Sequence, residues 1–190
     1  MDALEALLGR NSAPRLCAPA PAGAEREQIF RAALRAPDHA RLQPWRFLVV
    51  EGSGLAQLGE LFAQAAAAGD PSLDAAALAK VRSKPLRAPL VVIVVVRLRP
   101  HPKVPALEQQ LSAGAAAHAM LLAAHAQGYA GIWRTGAMAR DSAVQRGLGL
   151  AESEDIVGFL YLGTRSGEAR PLPDYRPEAF FQAWPPAAAG

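Results

Sequence analysis

Three short groups of polar residues stand at the edges of apolar segments in this sequence. They are Arg10-Asn11-Ser12, a connector over residues 35–44 that holds Arg35, Asp38, His39, Arg41 and Gln43, and Trp133-Arg134-Thr135. For each group alone, a helix-end cap, a polar loop or a strand edge is a sufficient explanation. Together they supply hydrogen-bond donors and positive charge beside segments whose apolar residues predict burial in the core. This combination favours one shared site, and it is compatible with an individual anionic ligand.

Other kinds of chemistry find little support in the residue pattern. The four histidines, at positions 39, 101, 118 and 125, lack the spacing of a metal site, and a single cysteine, Cys17, cannot seed a zinc cluster. No GxSxG motif is present, and no serine, histidine and acid are placed as a catalytic triad. The glycines of QGYAG end a helix and open a strand, whereas a dinucleotide loop follows a strand and opens a helix.

Composition bounds the class of protein. The 190 residues suit a single domain over 1–190, and a hydrophobic fraction of 51% argues against disorder. The net charge of +3 is spread along the chain, so nucleic-acid binding is not expected. The Ala-rich segment 113–128 is short for a membrane span and contains two histidines, so no membrane partner is expected either. The first residues lack the pattern of a secretory signal, and a cytoplasmic location is the expectation.

Hydrophobic periodicity predicts the elements that must position the three polar groups. Helices are predicted at 2–9, 24–36, 55–68, 73–82, 106–127 and 141–150. Strands are predicted at 46–52, 90–96, 131–136 and 156–164. The helix at 24–36 is predicted to bury Ile29, Phe30, Ala33 and Leu34. Strands interleaved with helices indicate an α+β or α/β protein, and the aromatic residues near the end predict a packing arm over about 165–190.

Six motifs follow one another from about residue 1 to residue 164. They are LLGRNSAPRL, APDHARLQPWRF, RAPLVVIVVV, HPKVPALEQQLSAGAAA, AQGYAGIWRTGA and IVGFLYLGT. In this order they resemble the FMN-dependent nitroreductase family, and within it a compact type. The resemblance implies an α+β, nitroreductase-like fold with a central, mostly antiparallel sheet flanked by helices. It also implies an intertwined homodimer with FMN bound between the two subunits.

The same resemblance gives each polar group a role in binding FMN. Arg10, Asn11 and Ser12 would hold the ribityl phosphate, because charge-assisted hydrogen bonds from guanidinium and hydroxyl groups suit phosphate. Arg35 and His39 would reach the flavin bound mainly by the partner chain, with Gln43 as a further candidate. Trp133, Arg134 and Thr135 would line the other side. Nicotinamide contact would involve the helix end Ala123, Ala124, His125, Ala126, Gln127 and Gly128.

Position 11 departs from the family pattern. The family usually has arginine there, and asparagine can donate a hydrogen bond but brings no charge. A stronger dependence of phosphate binding on Arg10 is the expected consequence.

The function implied by the resemblance is that of an FMN-dependent NAD(P)H oxidoreductase. It would reduce nitroaromatic or quinone-like small-molecule acceptors by ping-pong hydride transfer, with NAD(P)H as co-substrate. A flavin carries the hydride chemistry itself, so no catalytic side chain is predicted. Two alternatives share the same pocket residues: a non-catalytic flavin carrier or sensor, and a specialised flavin dehalogenase or flavin destructase.

Overall fold

A computed structural model describes residues 1–185 of the chain, and an antiparallel sheet lies at its centre. The strands are β1 (Leu16–Cys17), β2 (Trp45–Glu51), β3 (Leu90–Arg97), β4 (Ala130–Arg134) and β5 (Glu154–Arg165). The four longer strands lie in the order β2–β3–β5–β4, and β1 pairs with the end of β5. The predicted α+β class with a mostly antiparallel sheet is confirmed.

The central strand β3 shows why the sheet has two covered faces. Its residues Leu90 to Val96 are all buried, and branched side chains fit a pleated surface. Because side chains alternate along a strand, even-numbered residues such as Val92 and Val94 enter one apolar cluster. Odd-numbered residues such as Val91 and Ile93 enter the other. A strand buried on both sides therefore needs a layer of helices on each.

Residues 1–185 contain seven α-helices, and most of them contribute to these layers. They are α1 (Ala3–Gly9), α2 (Gly23–Ala33), α3 (Ser53–Gly69), α4 (Ala75–Arg82), α5 (Ala106–Ala126), α6 (Ala137–Arg140) and α7 (Ser142–Gly147). Residues of α2 and α5 form the cluster on one face of the sheet. Residues of α3, α6 and α7 form the cluster on the other face. Short 3-10 turns at His39–Arg41, Pro85–Arg87 and Pro177–Ala179 connect or follow these elements.

The second helix ends earlier than the pattern predicts. It stops at Ala33, and the amides of Arg35 and Ala36 donate to carbonyls three residues back, as in a tightened last turn. Leu34, predicted to be buried, is 57% exposed as a result. Pro37 follows this turn, so the helix is already unwound before the proline is reached.

One extra residue interrupts the pairing of β5 with β3. Val94 pairs with Gly158 and Val95 pairs with Ile156, which leaves Val157 without an opposite residue. This is a β-bulge on β5, a feature that locally redirects a strand. It lies just beyond the last pair between β4 and β5, where Arg134 faces Phe159.

Large apolar side chains remain exposed on two helices and on the tail. Leu4 and Leu8 of α1 and Leu107 and Leu111 of α5 are each more than half exposed. In the predicted arm, strand β5 continues to Arg165, and the exposed aromatic residues follow: Tyr175, Phe180, Phe181 and Trp184. The last part of that arm, 186–190, lies outside the described residues. Among residues 1–185, none of the helices has the length and apolar character needed to cross a bilayer.

Candidate functional site

The first polar group lies directly beside β4. Ser12 forms an isolated parallel bridge with Gly131, and the amide of Ala13 donates to the Gly131 carbonyl at 3.1 Å. Arg10 is the residue that ends α1, and Ser12 is exposed. The fold therefore brings the predicted Arg10-Asn11-Ser12 group next to the strand that carries Trp133 and Arg134.

The side chain of Asn11 is engaged at both of its polar ends. Its Nδ2 donates to the carbonyl of Arg170 at 2.8 Å, and its Oδ1 accepts from the Arg165 guanidinium at 2.5 Å. Asn11 brings no charge of its own but holds the charged guanidinium of Arg165 beside the Arg10-Asn11-Ser12 group. Sequence reasoning missed Arg165, although a basic residue directly after the apolar strand 156–164 was a signal that could have been used.

His125 joins this group from the end of α5. Its Nε2 is buried without a hydrogen-bond partner among the described residues, and a Cβ added at Gly9 would lie 3.4 Å from it. Burial, and secondarily the positive charges of Arg10 and Arg165, lower the pKa of His125 below its ordinary value of 6.5. The imidazole is therefore neutral at neutral pH and does not add to the charge of the two arginines.

The ring of Trp133 is held by the bulge of β5. Its Nε1 donates to the carbonyl of Val157 at 3.3 Å, which is the residue that the bulge leaves without an opposite partner. A Cβ built at Gly158 would collide with the same nitrogen. Glycine at this position is therefore what allows the indole to lie over β5.

A cavity of about 440 Å³ opens beside β4, on the side of the sheet covered by α3 and α6. Apolar and aromatic residues form much of its lining, namely Phe62, Ile132, Met138, Phe159 and Tyr161. Three cationic residues, Lys84, Arg87 and Arg134, lie among them. Burial raises the pKa of Tyr161, and the charges of Arg134 and Arg87 oppose that rise. Lys84, Arg87 and Tyr161 were not predicted, because nothing in the sequence places 84–87 beside β4.

A second cavity, of about 550 Å³, shares Arg87 and Arg134 with the first. Four arginines line it, at positions 15, 87, 134 and 170, together with Ser166. None of the four forms an ion pair with a residue in 1–185. Arg134 lies over the Tyr161 ring, 5.8 Å from its centroid, and its buried Nε has no hydrogen-bond partner in the described part of the chain. We call the two cavities together the β4 groove.

The connector lies elsewhere. Arg35, Arg41 and Gln43 line a separate cavity of about 820 Å³, which shares no lining residue with the β4 groove. His39 is half-exposed, and its Nδ1 lies 2.8 Å from Oε2 of Glu108 in the first turn of α5. Within one chain, Arg35 and His39 are therefore not brought together with the other predicted site residues.

The connector is held in an unusual backbone conformation. Ala40, Arg41 and Gln43 have φ between +48° and +60°, a region that non-glycine residues seldom adopt. The Asp38 carboxylate accepts hydrogen bonds from the amides of Leu42 and Gln43, which offsets part of the strain. Such strain is most often found where a binding or catalytic surface depends on it.

The connector is also tied to α5 a second time. The Ser112 hydroxyl donates to the carbonyl of Pro37 at 2.5 Å, one helical turn beyond the contact between Glu108 and His39. Both contacts come from the N-terminal half of α5. The first half of α5 therefore holds the connector in place, and the last turn of the same helix places His125 near Arg10.

Side chains that commonly bind metal ions do not cluster in the described part of the chain. Over residues 1–185 no cluster of three or more histidine, cysteine, aspartate or glutamate side chains has the proximity needed to hold an ion. The polar residues that line the β4 groove are cationic or carry a hydroxyl group, and such residues suit a phosphate-bearing ligand rather than a cation.

Comparison with known sequences identifies relatives along most of the chain. The family model described as "Nitroreductase family" matches residues 18–164. A protein of Escherichia coli (strain K12) and one of Haemophilus influenzae are both named "Putative NAD(P)H nitroreductase", the first with the addition YdjA. The Escherichia coli protein is 48% identical over 164 residues, covering 86% of this chain and 88% of its own. The Haemophilus protein is 39% identical over 165 residues, covering 86% and 89%.

Solved structures of low sequence identity share the fold. A nitroreductase-like family protein from Bacillus cereus superposes with a TM-score of 0.82 at 18% identity, covering 96% of each chain. A mutant of the FMN and NADPH-dependent nitroreductase NfnB, from sphigopyxis sp. strain HMH, superposes with a TM-score of 0.78 at 18% identity. That comparison covers 97% of this chain and 100% of the NfnB chain. At such identities the similarity concerns the arrangement of strands and helices.

Proposed function

Because the chain belongs to the nitroreductase family of oxidoreductases, we propose that it binds FMN in the β4 groove and reduces nitroaromatic or quinone-like acceptors with NAD(P)H in a ping-pong cycle. The observation that carries the proposal is the composition of this groove. It combines an apolar and aromatic part with a row of arginines that have no ion-pair partner within 1–185. These are the two environments that an isoalloxazine ring and a phosphate require.

The residues around the groove fit FMN chemically. Arg10, Ser12 and Arg165 do not line the groove but lie on segments next to it, since Ser12 is bridged to Gly131 and Arg165 precedes the lining residue Ser166. They would supply charge and hydroxyl donors for a phosphate, with Asn11 positioning Arg165. The buried Nε of Arg134, which lacks a partner among the described residues, is a donor that a polar ligand atom would satisfy. Trp133 and Thr135 border the same space.

When bound, FMN supplies the hydride-transfer chemistry that amino acid side chains lack. The protein's residues would bind the cofactor, exclude water from it and place positive charge beside it. In the β4 groove, Lys84, Arg87 and Arg134 favour an electron-rich ligand over a neutral one, because each brings a positive charge close to the cavity. No side chain is assigned a covalent role.

The proposal includes a homodimer with shared sites. Arg35 and His39 lie away from the β4 groove of their own chain, as expected if they complete the groove of a partner. The exposed leucines of α1 and α5 and the aromatic tail offer apolar surface for association. Helix α5 is rich in alanine, and such small residues permit close helix packing.

A shared site links flavin binding to association. We expect FMN to stabilise the dimer and dilution to release flavin together with monomers. Analytical ultracentrifugation read at the flavin absorbance band measures both. Leu111→Glu should shift the protein toward flavin-free monomer, whereas Gln64→Glu, on the exposed side of α3, should not. Monomers that retain stoichiometric FMN would contradict the shared site.

Arg10→Ala should weaken FMN binding by about 1.5–3 kcal/mol, the range for a hydrogen bond to a charged group. Asn11 cannot compensate, since both ends of its amide are already bonded. Quenching of flavin fluorescence on titration gives the Kd. Arg146→Ala removes an exposed arginine of α7 and serves as the control. An unchanged Kd for Arg10→Ala would remove this residue from the site.

The proposed activity has a direct test. The protein is loaded with FMN, freed of excess flavin and mixed anaerobically with NADPH or NADH. The visible flavin absorbance should bleach, and a nitroaromatic or quinone should restore it. A flavin that binds but stays oxidised with both coenzymes would instead indicate a carrier or sensor, and failure to bind FMN would refute the site.

A further inference from the structure

The cavity beside the connector has a strongly basic lining. Five arginines border its 820 Å³, at positions 35, 41, 46, 97 and 99, with Asp38 as the acidic residue of the lining. The Asp38 carboxylate is already occupied by two backbone amides of the connector. The charge facing this space is therefore predominantly positive.

Two of the five arginines are committed to a carboxylate. Arg46 forms a two-bonded pair with Glu154, at 2.7 and 2.6 Å, and Arg97 lies 3.8 Å from the same carboxylate. Arg35, Arg41 and Arg99 have no acidic partner within 4.0 Å in the part of the chain that the structure describes. Three guanidinium groups thus line one cavity, and no acidic residue within 1–185 forms an ion pair with any of them.

Apart from Gln43, the remaining walls of the cavity are apolar. Leu34, Ala36, Trp45 and Phe47 line the cavity together with the arginines. The connector that carries Arg41 is fixed by the Asp38 bonds and by its contacts with α5. A fixed loop loses little conformational entropy when a ligand binds, so this surface is preorganised.

We propose that this cavity binds the adenosine end of NADPH, with the 2′-phosphate and pyrophosphate on Arg35, Arg41 and Arg99 and the adenine against the apolar wall. The inference rests on the proposed function, because the connector of one subunit is there assigned to the flavin site of its partner. A 2′-phosphate adds about −1.5 to −2 charge relative to NADH. These three arginines therefore favour NADPH, and the same chain also accepts NADH more weakly.

A binding measurement tests the site without turnover. Isothermal titration compares 2′-phospho-ADP-ribose with ADP-ribose, which differ by the one phosphate and contain no nicotinamide. We expect the first to bind at least about tenfold more tightly, the scale of one charge-assisted hydrogen bond. Equal affinities would overturn the proposal even if FMN binds and turns over. Inorganic phosphate that binds as tightly as 2′-phospho-ADP-ribose would also overturn it, because the adenosine would then contribute nothing.

Two variants locate the binding to this cavity. Arg99→Ala and Arg41→Asn should each lower kcat/KM for NADPH about tenfold more than kcat/KM for NADH, because only NADPH carries the 2′-phosphate. Asparagine is used at position 41 because it tolerates the positive φ found there. Arg146→Ala, which removes an exposed arginine outside the cavity, should change neither value. Equal losses with NADPH and NADH would refute a 2′-phosphate contact, and thermal unfolding verifies that each variant is folded.

Discussion

Gly158→Ala is expected to destabilise the protein by about 3 kcal/mol, the upper part of the usual range for overpacking, and to weaken FMN binding at least about tenfold. The added Cβ would collide with Nε1 of Trp133 and would lie 3.1 Å from the carbonyl oxygen of Arg134. The indole must therefore leave its place over β5 or push β4 away. Either movement also breaks the bond from Trp133 to the Val157 carbonyl and disturbs the β4 groove.

Urea unfolding and flavin titration of the same variant measure the two effects. Gly69→Ala is the matched control, because a Cβ at that position meets no atom within 4 Å and its φ is not positive. A further substitution, Trp133→Leu, in the Gly158→Ala background should recover part of the lost stability, since it removes the clashing nitrogen. Wild-type stability in Gly158→Ala would show that the ring position is not fixed as described.

Glu154→Gln is expected to cost about 3 kcal/mol of folding free energy, near the lower end of the range for breaking a buried ion pair. The carboxylate is 8% exposed and accepts two bonds from Arg46, with Arg97 nearby. A neutral amide leaves both arginines without their counter-charge. Arg46 keeps a quarter of its side chain exposed, so water offsets part of the loss.

The pH dependence of this effect follows from the pKa of Glu154. The hydrogen bond from Arg46 lowers that pKa most, burial opposes it, and the Ala151 amide and the charges of Arg46 and Arg97 lower it further. The stabilisation is therefore fully present above the ordinary value of 4.5 and is lost as pH falls through the lowered, folded-state pKa. The difference between wild type and Glu154→Gln should be constant at neutral pH and shrink in acid.

Chemical unfolding across this pH range supplies the measurement. Glu60→Gln is the control, because Glu60 and Arg82 form a pair in which both side chains are about half-exposed. Such surface pairs contribute about 1 kcal/mol or less. A Glu154→Gln loss as small as that of Glu60→Gln would show that the Arg46–Glu154 pair is hydrated rather than buried.

The sheet could be predicted because its strands carry their own signal. Continuous branched apolar residues in β3 predicted a strand buried on both faces, and the apolar segment IVGFLYLGT predicted β5. The observed bounds of these two strands differ from those predicted by at most about two residues. Elements without such a signal were missed. β1 has two residues and lies in a Pro-rich segment, and the four residues of α6 contain less than two helical turns.

The candidate site was less accessible to prediction, for two physical reasons. Ala40, Arg41 and Gln43 have no intrinsic preference for positive φ, so the bonds to Asp38 and α5 impose the connector's shape. The role of Asn11 depends on its hydrogen bond with Arg165, which is 154 residues away in the chain. Contacts of that kind exist only once the sheet has formed, so their spacing in the sequence could not show them.

The bulge at Val157 bears on how this strand can change in length during evolution. Ile156 and Phe159 are three residues apart, yet both pack against the same apolar cluster, because Val157 is skipped in the pairing. In a relative that lacks this one residue, all the remaining β5 side chains stay on their present faces of the sheet. A gap in an alignment of such relatives therefore belongs at position 157. The shorter protein loses the carbonyl that accepts the Trp133 hydrogen bond, so it must either anchor the indole differently or replace it.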